Sequence, residues 1–169
     1  MAAWYDSLWP LLQRTLGLGR PSPDATPPPG VAGPTAQPAD ASSARSLSPL
    51  TLAYLGDAVF EAYVRARLVG AGRVSPDALH QGAVARVRAD AQARALAALE
   101  PLLTEEEQAV VRRARNAHPG HVPRGARPAD YHRATAFEAL LAHLLVTSQV
   151  GRLQELLGRA WDAGDPAGR

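Results

Sequence analysis

Two acidic residues lie in stretches of the sequence that are otherwise apolar. Asp57 stands in the middle of the run Leu-Gly-Asp-Ala-Val-Phe, and Glu138 stands in the middle of Ala-Phe-Glu-Ala-Leu-Leu. An isolated carboxylate in a protein interior is costly, so each of these acids needs a partner. The candidate chemistry of this chain therefore depends on what Asp57 and Glu138 contact.

Arginine is one kind of partner that the sequence offers. Glu61 and Arg65 are four residues apart, in the order that favours an ion pair along a helix. Arg67 or Arg133 could also reach an acid on another helix. In this interpretation the acids are structural.

A divalent cation is the other kind of partner. Two carboxylates brought together across a helix pair repel each other and raise a pKa unless a cation lies between them. Mg²⁺ suits such a pair, because it binds one or two carboxylates, keeps several waters and contacts phosphate oxygens. Gly56, next to Asp57, has no side chain and would permit close helix approach. The residues alone leave both interpretations open.

The basic residues are concentrated in one segment. The net charge is only +2, yet the chain has no lysine and all its positive charges are arginines, and residues 112 to 133 are dense in arginine and histidine with Asp130 as their single acid. Such a segment is typical of a phosphate-binding surface, and the alternative is a solvated loop. A zinc site at His118, His121 and His132 is disfavoured, because no HExxH spacing and no carboxylate pair accompany them.

The composition predicts an all-α fold in one domain. The chain of 169 residues contains no cysteine and no isoleucine, and its apolar residues are mostly alanine and leucine, which favour helices. The absence of cysteine excludes disulfides, thiolate metal sites and cysteine nucleophiles. No apolar run approaches the roughly 20 residues of a membrane span, so we expect a cytoplasmic protein without membrane association.

Cap signals divide the second part of the chain into helices. Ser48-Pro49 and Ser75-Pro76 are typical helix starts, and Thr104 with Glu107 forms a capping box. Asp130 is expected to cap a helix that begins at Tyr131. The predicted helices are 49 to 69, 76 to 87, a further stretch to 99, 105 to 116, 131 to 147 and 149 to 162.

The remaining segments complete the predicted domain organisation. Residues 1–20 form a short amphipathic segment, and residues 21–47 are a Pro- and Ala-rich linker that we expect to be disordered. Residues 48–163 form the folded domain, and 164–169 are a tail.

Several motifs of the folded part resemble a known family. The run Leu-Ala-Tyr-Leu-Gly-Asp-Ala-Val-Phe-Glu that begins at Leu52 resembles the signature of the ribonuclease III nuclease domain, and Thr-Ala-Phe-Glu-Ala-Leu from Thr135 resembles its second acidic motif. The resemblance is greatest to the Mini-ribonuclease III subgroup and extends over roughly residues 48 to 162. Its further matches are Tyr63-Val-Arg, Ala91-Gln-Ala, Thr104-Glu-Glu-Glu, Arg112 to Ala117 and His121-Val-Pro.

This resemblance implies a homodimeric endoribonuclease that hydrolyses double-stranded RNA with Mg²⁺ and leaves 5′-phosphate ends. Asp57 and Glu138 would be its catalytic metal ligands, with Glu61 and Arg65 as possible auxiliaries. We expect part of the first helix, including Val59, Phe60 or Tyr63, to lie in the dimer interface. The implied RNA-binding residues are Arg112, Arg113, Arg115, Asn116, His118, His121, Arg124, Arg127 and Arg133.

The subgroup further implies a biological substrate, the ends of the 23S ribosomal RNA precursor, with ribosomal proteins or precursor particles as possible partners. The alternative is a non-catalytic RNA-binding module of ribosome assembly. Ala53 and Thr135 occupy positions where full-length ribonuclease III has acids, which favours one tightly held ion over a fully liganded two-metal site. We also expect no separate double-stranded RNA-binding domain, so the nuclease domain itself must bind the duplex.

Overall fold

The structure is a computed structural model that describes residues 47–72, 75–117 and 127–164. Those residues form an all-α domain, as predicted, with no strand among them. Within the same ranges, no helix combines the length and apolar character that crossing a membrane requires. The helices are α1 (Pro49–Gly70), α2 (Pro76–Val87), α3 (Ala89–Leu99), α4 (Glu105–Arg115), α5 (Pro128–Val146) and α6 (Val150–Ala163), with a 3₁₀ turn at Glu100–Leu102 after α3.

The predicted cap signals are confirmed. Ser48 and Ser75 accept hydrogen bonds at their side-chain oxygens from backbone N–H groups three residues later, at 3.0 and 3.2 Å. Thr104 and Glu107 form both hydrogen bonds of a capping box. Local side-chain chemistry therefore sets the starts of α1, α2 and α4. The predicted segment 1–20, nearly all of the linker 21–47 and most of the tail lie outside the described residues.

The predicted start of α5 is wrong. The helix begins at Pro128 rather than at Tyr131, because proline is favoured at the first helical position and its fixed φ is already helical. Asp130 consequently lies inside the first turn and is not the cap. Its carboxylate instead pairs with Arg127, Nε to Oδ2 at 2.9 Å.

Helix α5 is the centre of the fold. It packs against α1, α3 and α4, and nearly every side chain from Ala134 to Leu145 is buried. Phe137 is fully buried and meets Phe60 of α1 edge to face, with ring centroids 4.9 Å apart. An apolar helix surrounded on three sides provides a rigid base for any side chain that it directs toward α1.

The three α1 residues expected near a dimer interface differ in their burial within the single chain. Val59 and Phe60 lie in the hydrophobic core of the single chain, and Tyr63 is half-buried against that core. The helix presents a different face to solvent, on which Tyr54 is 86% exposed and Leu50 is partly exposed. The apolar periodicity of α1 therefore places Val59 and Phe60 in the core of the single chain, and an interface that includes Tyr63 stays a prediction.

Candidate functional site

Asp57 and Glu138 come together where α1 crosses α5. The backbones approach so closely that a Cβ atom on Gly56 would lie 2.9 Å from Glu138 Cα and nearer still to the Glu138 carbonyl group. Only glycine fits at that contact, as its place next to Asp57 predicted. Because the crossing point is one residue from Asp57, it fixes the two acids as neighbours.

The two acids differ in their exposure. Glu138 is partly buried, and burial, followed by the charge of Asp57, raises its pKa from 4.5 to about 8. Asp57 is exposed, contrary to the expectation from its apolar neighbours, because it lies on the solvent side of the crossing. Partial burial of its carboxyl group, with the nearby charge of Glu61, still raises its pKa. The pair therefore resists carrying two negative charges unless a cation compensates them.

Arginine does not compensate these charges in the described part of the chain. Neither Asp57 nor Glu138 forms an ion pair there, and the only group that lowers their pKa values is the Gln92 amide. The predicted pair of Glu61 and Arg65 is present, with 2.9 Å between Oε2 and Nη2. The other candidate arginines lie elsewhere: Arg67 stacks on Trp161 at 4.6 Å from the ring centroid, and Arg133 is exposed.

Glu107 shows what a structural acid looks like in the same fold. It is 3% exposed, and Arg152 of α6 donates two hydrogen bonds to its oxygens, at 2.8 and 3.0 Å. Burial acts to raise the Glu107 pKa, but the Arg152 hydrogen bonds and charge outweigh it and lower that pKa. For the acid pair at the α1–α5 crossing the outcome is the opposite: burial raises both pKa values, and no described arginine lowers them.

A third polar side chain near the acid pair, Gln92 of α3, is not among the residues that the sequence predicted for the site. It is 1% exposed, although the sequence motif around it is otherwise alanine. Its amide lies beside the carboxyl groups of both Asp57 and Glu138 and lowers the pKa of each. The available signal was a polar residue within the apolar stripe of a helix, the same anomaly that singled out the two acids.

Comparison with known proteins identifies the family of this chain. Residues 50–149 match the model of the ribonuclease III domain. The chain belongs to the ribonuclease III family. It is 51% identical over 117 residues to Mini-ribonuclease 3 of Symbiobacterium thermophilum, a match that covers 69% of this chain and 90% of that protein. It is 44% identical to Mini-ribonuclease 3 of Brevibacillus brevis over 68% of this chain and 85% of the relative.

A solved structure has the same architecture as this ribonuclease III-family chain. A crystal structure of a protein from Fusobacterium nucleatum superimposes with a TM-score of 0.64 at 26% sequence identity. The match covers 70% of this chain and 94% of that protein. The resemblance inferred from the motifs is thus confirmed at the level of family and all-helical fold.

The two positions at which full-length ribonuclease III has further acids are both buried. Ala53 is 6% exposed in the core. Thr135 is 5% exposed, and its hydroxyl donates a hydrogen bond to the carbonyl oxygen of Tyr131 at 3.0 Å, so it is occupied within its own helix. Among the residues that the structure describes, no group of three or more histidine, aspartate or glutamate side chains could hold a metal ion. The carboxylates at the crossing of α1 and α5 that could contact a metal ion are therefore those of Asp57 and Glu138.

The predicted RNA-binding residues flank the segment 118–126. Arg112, Arg113 and Asn116 are exposed at the end of α4, and Arg127 and Arg133 are exposed at the start of α5. Arg115 is half-buried, and its guanidinium pairs with Glu100 at 2.8 Å, so it is less available to a ligand. Three of the predicted residues, His118, His121 and Arg124, lie outside the described residues.

Proposed function

We propose that this chain is a Mg²⁺-dependent endoribonuclease that hydrolyses double-stranded RNA and leaves 5′-phosphate and 3′-hydroxyl ends. Membership of the ribonuclease III family supports the endoribonuclease activity and the duplex substrate. The observation that carries the proposal is the pair Asp57 and Glu138, which repel each other and have no arginine partner among the described residues.

The donor set fits Mg²⁺. This ion takes one or two carboxylates, keeps several waters and binds phosphate oxygens, so an acid pair beside open solvent meets its needs. Asp57 and Glu138 would hold the ion, with Glu138 fixed by its burial and the exposed Asp57 next to the substrate side. A bound Mg²⁺ would activate water for attack and stabilise charge on the phosphodiester.

We propose that the duplex lies across the arginines at the end of α4 and the start of α5. A-form RNA is recognised through phosphate and 2′-hydroxyl contacts, and the guanidinium group binds phosphate oxygens in a bidentate manner. Helix α4 packs directly on α5, and Arg112 and Arg113 at the end of α4 are exposed, as are Arg127 and Arg133 at the start of α5.

Replacing Arg124 and Arg127 with alanine is expected to weaken duplex binding and to flatten its salt dependence. Each lost phosphate contact lowers the slope of log affinity against log salt by about one unit. The Arg127 side chain is 83% exposed and its only described ion pair is with Asp130, so the melting temperature should not change. Arg159→Ala, which removes a similar exposed arginine from α6, is the control. An unchanged slope would assign Arg124 and Arg127 to solubility alone.

A homodimer is part of the proposal, because cutting both strands of a duplex needs two related sites and two-fold symmetry supplies them. The exposed face of α1 around Tyr54 is the surface we propose for the second copy. It lies one turn from Asp57, which would place the two sites near the symmetry axis. The proposed biological substrate is the 23S ribosomal RNA precursor, in the cytoplasm, with ribosomal proteins or precursor particles as possible partners.

The deciding experiment is incubation of the purified protein with a long, perfectly paired RNA. We expect endonucleolytic cleavage in Mg²⁺ and none in EDTA, with product ends that a 5′-phosphate-dependent exonuclease degrades. A single-stranded RNA of the same sequence is the control. Cleavage in EDTA would remove the metal from the proposal. Duplex binding without cleavage in Mg²⁺ would favour the alternative, a non-catalytic module of ribosome assembly.

A further inference from the structure

Gln92 is a buried amide with one fixed anchor. Its Nε2 donates a hydrogen bond to the carbonyl oxygen of Val87, the last residue of α2, at 3.0 Å. Because a carbonyl oxygen only accepts, the amide atom that faces Val87 must be the nitrogen, and this settles the orientation of the side chain. The side chain is 1% exposed, so it has little freedom to leave that anchor.

The Gln92 amide also lies beside the acid pair. It is close enough to the carboxyl groups of Asp57 and Glu138, which come from two other helices, to lower the pKa of both. An N–H donor favours the charged form of a carboxyl group, which is the form that binds a cation. Gln92 thus joins the carboxylates of α1 and α5 to the end of α2.

The side-chain carbonyl oxygen of Gln92, Oε1, is buried. In the part of the chain that the structure describes, it accepts no hydrogen bond. A residue that only filled space here would be apolar, since burying an acceptor without a donor is costly. The hydration shell that Mg²⁺ retains consists of donors of the kind that Oε1 lacks.

We propose that Gln92 is a positioning residue of the cation site, whose anchored amide holds the Asp57 and Glu138 carboxylates for a hydrated divalent cation. This inference rests on the proposed function and adds to it a residue that is not itself a ligand. Outer partners of this kind typically change metal affinity by about ten- to a hundredfold when they are removed.

The test replaces Gln92 with methionine, which keeps the length and unbranched shape of the side chain but removes the amide. Calorimetric titration of the metal-free, full-length protein with Mn²⁺ is expected to show binding about tenfold weaker than in the wild type. In cleavage assays, KM for the duplex should stay unchanged, while kcat at low Mg²⁺ should fall and recover at high Mg²⁺. A packing role alone would not produce this recovery.

Gln108→Met is the matched control. The Gln108 amide also donates to the backbone carbonyl five residues earlier, Leu103, at 3.1 Å. It lies on α4, away from the acid pair, so its replacement should leave Mn²⁺ binding unchanged. Any effect common to both variants comes from the loss of a helix-end hydrogen bond.

Asp57→Asn separates the inference from the function on which it rests. If Asp57→Asn weakens Mn²⁺ binding and folded Gln92→Met does not, the inference about Gln92 is overturned and the proposed function stands. If Asp57→Asn also binds Mn²⁺ as the wild type does, the proposed function itself fails. Should Gln92→Met not fold, the wild-type protein decides by ¹⁵N NMR. The Gln92 side-chain amide signal must then shift on saturation with Mg²⁺ while the Gln108 signal does not, and an unmoved Gln92 signal overturns the inference.

Discussion

Asp57→Asn and Glu138→Gln are each expected to reduce cleavage of duplex RNA to background while the protein stays folded and still binds the duplex. Each amide keeps the shape of the acid that it replaces but loses the charge that would hold Mg²⁺. The measurements are single-turnover cleavage in Mg²⁺, duplex binding by gel shift, and circular dichroism. Asp162→Asn, at an exposed aspartate of α6, is the control and should remain active.

The stability of the metal-free protein should respond to the same substitution with a defined sign. The pKa of Glu138 is raised by burial and by Asp57 from 4.5 to about 8, so between these values the folded chain keeps a proton that the unfolded chain releases. The free energy of unfolding therefore falls as pH rises through this window, by up to about 3 kcal/mol at pH 7. In EDTA, the melting temperature of the wild type should fall from pH 5 to pH 8, and Glu138→Gln should remove most of that fall.

The two interpretations of the acids predict opposite changes in melting temperature. If the acids neutralised buried arginines, each amide would leave a buried cation unpaired and cost roughly 3 to 5 kcal/mol. For a repelling pair, the amide variants in EDTA melt at or above the wild-type temperature and do not respond to added Mg²⁺. Active variants, or variants inactive only because they are unfolded, would refute the assignment of Asp57 and Glu138.

The helix starts were predictable where the deciding interaction is local. Ser48, Ser75 and Thr104 each cap a helix through a backbone N–H only three residues away, so the motif contains the whole interaction. The predicted start of α5 was wrong because Pro128 and Asp130 are both typical signals for the start of a helix. The sequence does not say which one the rest of the chain favours.

The sequence identified two residues of the candidate site by their charge within apolar runs, but it did not predict how they are arranged in space. Charged residues within apolar runs identified Asp57 and Glu138, but hydrophobic periodicity could not show that Asp57 lies on the open side of the crossing. The sequence also does not predict contacts between residues that are far apart along the chain. Arg152, for example, lies 45 residues from its partner Glu107. The sequence did not predict Gln92 as a site residue, because its amide side chain carries no charge.

Gly56→Ala is expected to be among the most damaging single substitutions in the chain. The added methyl group would meet backbone atoms of Glu138 at distances that real Cβ atoms essentially never show, and backbone cannot rotate away as a side chain can. Either α1 and α5 separate or the helix crossing is lost, at a cost of about 3 kcal/mol or more. Thermal and urea unfolding in EDTA measure this cost.

Gly158→Ala makes the same chemical change on α6 and should have the opposite sign. A Cβ atom at Gly158 meets nothing within 4 Å, so only the better helix propensity of alanine remains. This gain is about 0.5 to 1 kcal/mol. A Gly56→Ala protein as stable as the wild type would contradict the close crossing of α1 and α5.

The same substitution at Gly56 also tests whether the helix crossing sets the spacing of the acid pair. Under conditions where Gly56→Ala stays folded, the added methyl group must move Asp57 away from Glu138. We therefore expect the Mg²⁺ concentration required for half-maximal cleavage to rise. Repulsion between the two carboxylates weakens with distance, so the pH dependence of melting in EDTA should become shallower at the same time. A folded Gly56→Ala protein with wild-type metal demand and wild-type pH dependence would show that the spacing of the acids does not depend on this contact.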